Sequence, residues 1–448
     1  MLLASAALSA WGGVTLNTLV SFNGSNGSSP QGILLGKDGN LYGVTLGGGA
    51  GSNGTVFKWA TNSGALTTLY SFGASSNAST AIEPAPLLQG SDGTFFGTAF
   101  SGGTFNYGVI YQIDTNGVFK TLYSFDNTNG ASPNSALTLN TNDGNIYGTT
   151  FVGGTNGGFG TIFKMTPSGA FTSLFSFNGT NGGHPMAQPT VGPDGKLYGT
   201  TYSGGTNDFG TIYSITTNGL FSSLFSFDGG GYGGNPHAGV IFGPDGKMYG
   251  TCAQRGANGY GSIFSMDTNG NVTTVFSFNG NNGSTPYSPL VLGQDGNFYG
   301  MTLEGGSNFD GGTIFSMSPG GTFTSLFSFE GQNGANPTGS LVKGAGNTFF
   351  GVTTQGGTNG NLGTIFQFSV AGPPLVSPTL NVVANNSQLV FTWNSIPGQT
   401  YQLQSALDMW KRNWTNQGPA ITATSTTTTN TILQPTNQSV LYRLSVGP

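Results

Sequence analysis

Hydrophobic and polar positions alternate along most of this chain in short runs. In one example, Leu197, Gly199 and Thr201 fall on one side while Tyr198 and Thr200 fall on the other. Alternation of period two over four to eight residues marks half-buried β-strands. The neighbouring runs are Pro185–Val191, Gly210–Ile215 and Leu220–Phe227, and turn residues separate them. Pro193-Asp194-Gly195 predicts a tight reversal, and Thr217-Asn218-Gly219 predicts a hairpin, because Asn-Gly accepts positive φ at little cost. No stretch of ten residues carries a helical period. The runs are therefore read as four strands, A to D, from the inside outward.

This four-strand unit recurs. The glycine of its aromatic-glycine pair falls at Gly43, Gly97, Gly148, Gly199, Gly250, Gly300 and Gly351, with spacings of 54, 51, 51, 51, 50 and 51 residues. A fixed period near fifty built from four antiparallel strands is the unit of a β-propeller blade. The D-type Ser-Phe pair appears first at Ser21-Phe22 and the C-type run appears last at Gly363-Thr364-Ile365-Phe366. The first copy thus begins with a D strand and the last stops at C. An all-β, seven-bladed propeller of four antiparallel strands per blade is expected over residues 13–370, with the N-terminal strand closing blade seven.

Composition changes the picture at both ends. Among 448 residues, 79 glycines and 21 prolines would suggest disorder if they lacked a period, but the period and the 12% aromatic content make them turn and close-packing positions. Residues 1–12, MLLASAALSAWG, read as a signal-peptide remnant or a disordered N-terminus. The stretch 371–376, around Pro373-Pro374, reads as a linker. Beyond it the repeat ends and tryptophan becomes frequent at Trp393, Trp410 and Trp414. Strands are expected at Gln388–Trp393, Thr400–Ser405, Ala420–Ser425, Thr427–Leu433 and Val440–Ser445, which predicts a small β-sandwich over 377–448 with Trp393 and Tyr401 in its core. Only 6% of residues are charged and the net charge is −5, so no basic patch points to a nucleic-acid partner. No run of eighteen apolar residues marks a membrane span. The lone Cys252 has no partner for an internal disulfide.

Two resemblances rest on these residues. The repeat SFNGTNGGHPMAQPTVGPDGKLYGTTYSGGTNDFGTIYSITTNG resembles the tandem repeat of Gloeobacter and Verrucomicrobia proteins, GloVer for short, across residues 15–370. That resemblance implies an exported, secreted or cell-surface bacterial protein and implies no activity. The segment WNSIPGQTYQLQSALDMW with LYRLSV looks like a fibronectin type III or immunoglobulin-like module. GPDGKLYG and TPSGAFTSL are more weakly similar to streptogramin lyases, seven-bladed propellers whose chemistry needs histidine, glutamate and magnesium. Against that need the chain offers only His184 and His237, with Glu83, Glu304 and Glu330.

Motif chemistry is otherwise sparse. Gly49-Ala50-Gly51-Ser52-Asn53-Gly54 fits a dinucleotide fingerprint but lies between strands, with no helix N-terminus to hold a pyrophosphate. The Asp-Gly aspartates cap their own turns more readily than they form a cation ring. Departures between copies say more. Five residues after the aromatic-glycine, six copies have glycine and the fifth has Arg255; two residues after it, where five copies have threonine, the fifth has Cys252. His184, Asp208, His237, Arg255, Glu304 and Asp310 gather in loops of copies four to six, so one loop face is the candidate ligand site. His184 and His237, each beside a proline, are expected to be neighbours around a central funnel, and Arg255 to point into it. The leading reading is a monomeric, non-catalytic binding or surface-display propeller without cofactor, its ligand a small molecule, glycan or peptide. The alternatives are a lyase or hydrolase using a divalent metal, and a purely structural surface protein.

Overall fold

A computed structural model describes residues 14–74, 82–307, 310–370, 380–385, 388–395, 400–406, 415–424, 427–433 and 440–446. The expected N-terminal segment and the linker lie outside these residues. The chain divides into two compact units, one of residues 14–293 with 297–369 and one that includes the residues from 370 onward. Every element among the described residues is a β-strand.

In the larger unit, successive strands pair antiparallel into four-stranded sheets, except that the innermost strand of the second is split into Ile82–Pro84 and Leu88–Gln89. The fourth is representative, with Thr190–Val191, Leu197–Thr201, Thr211–Ile215 and Phe221–Ser226 in that order. The sheets, numbered in chain order, repeat this pattern from Ser28–Leu35 onward. In the last of them, Ala335–Lys343, Thr348–Gln355 and Thr364–Val370 are joined by Val14–Ser21, which lies beside Thr364–Val370. The expected A strands are not continuous throughout. In the fourth sheet the run from Pro185 shortens to Thr190–Val191, because Pro185 and Pro189 lack the N–H that a ladder needs.

One cross-strand pair explains the repeated aromatic-glycine. Gly199 sits opposite Tyr213 on the C strand, and a Cβ at Gly199 would lie 2.4 Å from the Tyr213 hydroxyl. The ring lies across the glycine, so no larger residue fits there. The same arrangement puts Gly148 under Phe163 and Gly351 under Phe366. The preceding aspartate does cap its turn: Asp194 accepts from the Lys196 N–H at 3.1 Å and from the Tyr198 hydroxyl at 2.9 Å.

Neighbouring sheets are joined by a recurring latch. Before each A-strand proline stands a residue of positive φ: Ser29, Glu83, Ser132, His184, Asn235, Thr285 and Asn336. In Ser29, Ser132, His184, Asn235, Thr285 and Asn336 the N–H donates to the carbonyl two residues before the previous sheet's C strand, as in His184 to Phe159 at 2.8 Å and Asn235 to Phe209 at 2.8 Å. The following proline packs where a Cβ on the next glycine would be, with Pro185 2.9 Å from that point on Gly160. The bond recurs from Ser29 to the Leu362 carbonyl at 2.8 Å. Buried threonines add a second link, with the Thr200 hydroxyl donating to the Ala238 carbonyl at 2.8 Å.

The smaller unit has two sheets around a shared core. One contains Leu380–Asn385, Gln388–Asn394 and Thr427–Leu433; the other sets Thr400–Ala406 against Leu441–Val446 and two short strands. Trp393 and Tyr401 are buried from opposite sheets, their ring centroids 5.9 Å apart. Trp393→Ala is expected to cost about 3–5 kcal/mol, the usual loss for a buried aromatic, as read from denaturant unfolding of this unit.

The sheets also hold a small strain. Five of the aromatic rings over glycine are phenylalanine or their equivalent, but Tyr111 and Tyr213 place a phenol in the same dry interface. Neither hydroxyl finds a protein partner, and burial pushes both pKa values well above the ordinary phenol range. Tyr213→Phe is therefore expected to raise stability by roughly 1 kcal/mol, since it removes an unsatisfied buried group. Chemical denaturation of the two proteins measures it, and a loss of stability would mean the hydroxyl is bonded.

Candidate functional site

After the latch, the chain in the second to sixth sheets leaves the ladder for several residues before it rejoins its sheet, whereas the first and last sheets keep one bulged strand through it. The residues that follow the latches surround a cavity of about 500 Å³. All seven sheets contribute to it, through residues such as Gln31, Pro86, Asn134, Gln188, His237, Tyr287 and Thr338. Alternation decides which side chains face inward: Ala187 and Ala238 are buried against neighbouring sheets, whereas Gln188 and His237 retain some accessibility, and it is to the cavity.

His237 and Tyr287 form the flattest feature of this lining. Their rings stack with centroids 4.0 Å apart and planes 2° from parallel. They occupy the same repeat position, one residue after the latch proline, in adjacent sheets. Enclosure by protein pushes the His237 pKa down to about 4, against the opposing effect of a hydrogen bond to the Tyr287 backbone. The imidazole is neutral at pH 7. Burial also raises the Tyr287 phenol, helped by the nearby Tyr202 and Glu304. Among the described residues, no aspartate, glutamate, lysine or arginine lines the cavity.

The sequence candidates separate into several places. His237 lines the cavity, and Glu304 lies close enough to Tyr287 to act on its phenol. Glu304 also accepts from the Thr285 hydroxyl at 3.3 Å. The expected pairing of the two histidines is corrected. His184 precedes its proline and His237 follows one, so His184 holds a latch position and its counterpart is Asn235. His184 Nδ1 lies 2.6 Å from Ser203 Oγ, between Phe151 and Phe159, and burial lowers its pKa against the pull of Asp208.

Asp208 and Asp310 close their own B–C loops, accepting from the Gly204 N–H at 2.7 Å and the Gly305 N–H at 2.6 Å. Asn106 and Asn361 do the same for Gly102 and Gly356, so this is a loop-building role shared across copies. Arg255 does not line the cavity. Its guanidinium lies over Phe209, 5.0 Å from the ring centroid.

The departures in the fifth copy have a common cause. Arg255 adopts φ +67, at a position where Gly204 has +76 and Gly305 has +78. At Gly204 a Cβ would stand 2.4 Å from the Gly179 carbonyl oxygen, part of a turn bonded between Gly179 and Gly182. The fifth turn, from Phe227 to Pro236, is one residue longer, and its bond runs from Gly233 to Gly230 at 3.0 Å. The rebuilt turn leaves room for a side chain at 255. Cys252 belongs to the same rebuilding, facing Ser262 where the fourth copy has the bonded pair Thr201 and Thr211. The thiol is buried and its pKa is raised by that burial, so it is an unreactive core group.

The residues that sequence reading missed are Tyr287 and the amides Gln31, Asn134 and Gln188. A signal was present. Down the copies, the residue after the latch proline reads Gln31, Ala85, Asn134, Met186, His237, Tyr287 and Thr338, the most varied column beside a fixed one.

Sheets of this form, repeated and bound edge to edge by one latch, define an all-β repeat propeller. The chain belongs to the Gloeobacter/Verrucomicrobia repeat family, whose model matches residues 9–157, 74–241 and 138–366. No curated protein matches it. Among solved structures it is similar to a protein provisionally described as a gluconolactonase, at 10% identity and a TM-score of 0.40, covering 80% of this chain and 92% of that one. It is also similar to a protein of unknown function from Dyadobacter fermentans, at 12% identity and a TM-score of 0.46, covering 80% and 99%. Likeness this distant says nothing of activity.

Two measurements follow from this geometry. Gly204→Ala is expected to destabilise by about 2 kcal/mol or more through its clash and positive φ, whereas Arg255→Ala should change stability by less than about 1 kcal/mol. Equal losses in thermal or denaturant unfolding would refute the role given to the longer turn. For His237, the folded pKa of about 4 lies below the ordinary value near 6.5. Above pH 6.5 both states are neutral there and the group contributes nothing. As pH falls from 6.5 toward 4 the unfolded chain takes up the proton first, so folding weakens. His237→Gln should flatten that part of the melting-temperature profile.

Proposed function

We propose that this is an exported, non-catalytic binding propeller whose ligand sits in the axial cavity. In this reading the larger unit is a closed seven-bladed ring, with Val14–Ser21 as the outer strand of the last blade. The Ser29–Leu362 bond and the contact of Pro30 with Gly363 support closure, because they repeat between last and first sheets the latch that joins the others. Residues 377–448 are a fibronectin type III-like module, a reading supported by their two-sheet core. Secretion or surface display rests on family resemblance alone.

The observation that carries the reading is the cavity itself. About 500 Å³ is within the roughly 300–1,000 Å³ of small-ligand sites, and polar side chains such as Gln31, Asn134, Gln188, His237, Tyr287 and Thr338 line it. Glu304 and the loops bearing His184, Asp208, Arg255 and Asp310 form the outer surface that a longer glycan or peptide would also meet. A metal-assisted lyase gains no support, because the described residues assemble no three His, Cys, Asp or Glu side chains fit to hold an ion.

A thermal-shift screen of small molecules, glycans and peptides tests the reading on the parent, Arg255→Gly and Tyr287→Ala. A cavity ligand should stabilise the first two equally and the third less. A ligand that shifts all three alike binds elsewhere. One lost only in Arg255→Gly would place the site on the loop surface.

A further inference from the structure

We propose that the axial cavity is built for an uncharged, hydroxyl-rich ligand, a short neutral saccharide. This rests on the binding reading above and specifies its chemistry. Three features of the lining carry it.

The first is the lack of charge. None of the lining side chains is ionised at pH 7 once the His237 imidazole is neutral. An anionic or cationic ligand drawn in would lose its water without gaining a counter-charge, which is costly in an enclosed site. The second is the kind of polar group. Gln31, Asn134 and Gln188 each carry both N–H donors and a carbonyl acceptor, one Gln31 N–H reaching the Ser29 carbonyl at 3.5 Å; Ser340 offers a hydroxyl, and that of Thr338, donating to the Pro30 carbonyl at 3.4 Å, can still accept. A sugar hydroxyl likewise donates and accepts, and the hydroxyls of a pyranose radiate from its ring, as these groups converge around the axis. The third is the His237–Tyr287 stack, which sets an aromatic surface with polar edges among those amides. The C–H face of a sugar needs such an apolar patch beside hydrogen-bonding groups.

A peptide is the other neutral candidate, and the backbone disfavours it. Extended peptides gain their affinity by pairing with an open strand edge. Here the innermost strands of the fourth to sixth sheets shrink to Thr190–Val191, Ile241–Phe242 and Val291–Leu292, so long inner strands border the cavity only at Ser28–Leu35 and Ala335–Lys343.

The test is calorimetric titration of the full chain with cellotriose, maltotriose and xylotriose as neutral probes. Trigalacturonate, a chitosan trimer and triglycine are the charged and peptide comparisons. At least one neutral saccharide should bind, and the charged trimers and triglycine should bind at least about tenfold more weakly. Asn134→Leu combined with Gln188→Leu should weaken the neutral ligand by about tenfold or more, the loss expected when enclosed hydrogen bonds go unmade. Val118→Ser, on an exposed hairpin, should bind like the parent. If the double variant does not fold, Thr338→Val, one hydroxyl exchanged for a methyl, gives the same comparison at smaller amplitude. Preference for a charged trimer or triglycine, lost in the same variants, would overturn the saccharide assignment and keep the cavity as a binding site. No binding by any probe, or binding unmoved by the lining variants, would overturn both.

Discussion

The larger unit depends on one backbone constraint, the left-handed residue that precedes each A-strand proline. A positive φ at a non-glycine residue costs of the order of 1 kcal/mol, and this chain accepts it before the A-strand proline of every sheet. In return, the turn aims an N–H back at the preceding sheet's C strand and lays the proline against the glycine that opens that strand. Neither contact forms within a sheet. Sheets that could bury little apolar surface alone are thereby held side by side, and their Phe, Tyr and Ile side chains close into clusters shared by neighbours.

The same constraint makes the cavity. In the second to sixth sheets the ladder breaks after this residue and its proline, and the chain leaves the sheet for several residues; in the first and last the strand goes on across a bulge. Packing holds some of those residues, such as the buried Ala85, Ala187 and Ala238, while Gln188, His237 and Tyr287 line the cavity. Packing determines the fixed column of prolines, and the column after it varies from copy to copy. The polar loops above the cavity are a separate matter: Asp208 and Asp310 are committed to their own glycine N–H groups, and His184 to Ser203.

Low charge runs through both features. With few ionic side chains, the surface has few salt bridges, such as the exposed Lys196–Asp194 pair, and these contribute little. Order comes instead from turn caps, buried threonine pairs and aromatic contacts, all of which repeat with the period. A copy that departs must do so at several places together, as in the fifth, where Arg255, Cys252 and a longer turn change as one unit.

Much of this was legible from the chain itself. Period two within a run and a period near fifty between runs determine strands, sheets and their order, because both follow from local turn chemistry and from which face must be buried. The glycines were legible as turn and close-packing positions, and the tryptophans past residue 390 marked a second core. What the chain could not show was which loop residues meet. His184 and His237 look equivalent beside their prolines, yet one residue of offset puts one in a latch and the other in the lining. Arg255 looks like a free guanidinium until Phe209, from the previous sheet, is found beneath it. The His237–Tyr287 stack joins residues fifty apart, and only the lateral packing of one sheet on the next brings such residues within 4.0 Å.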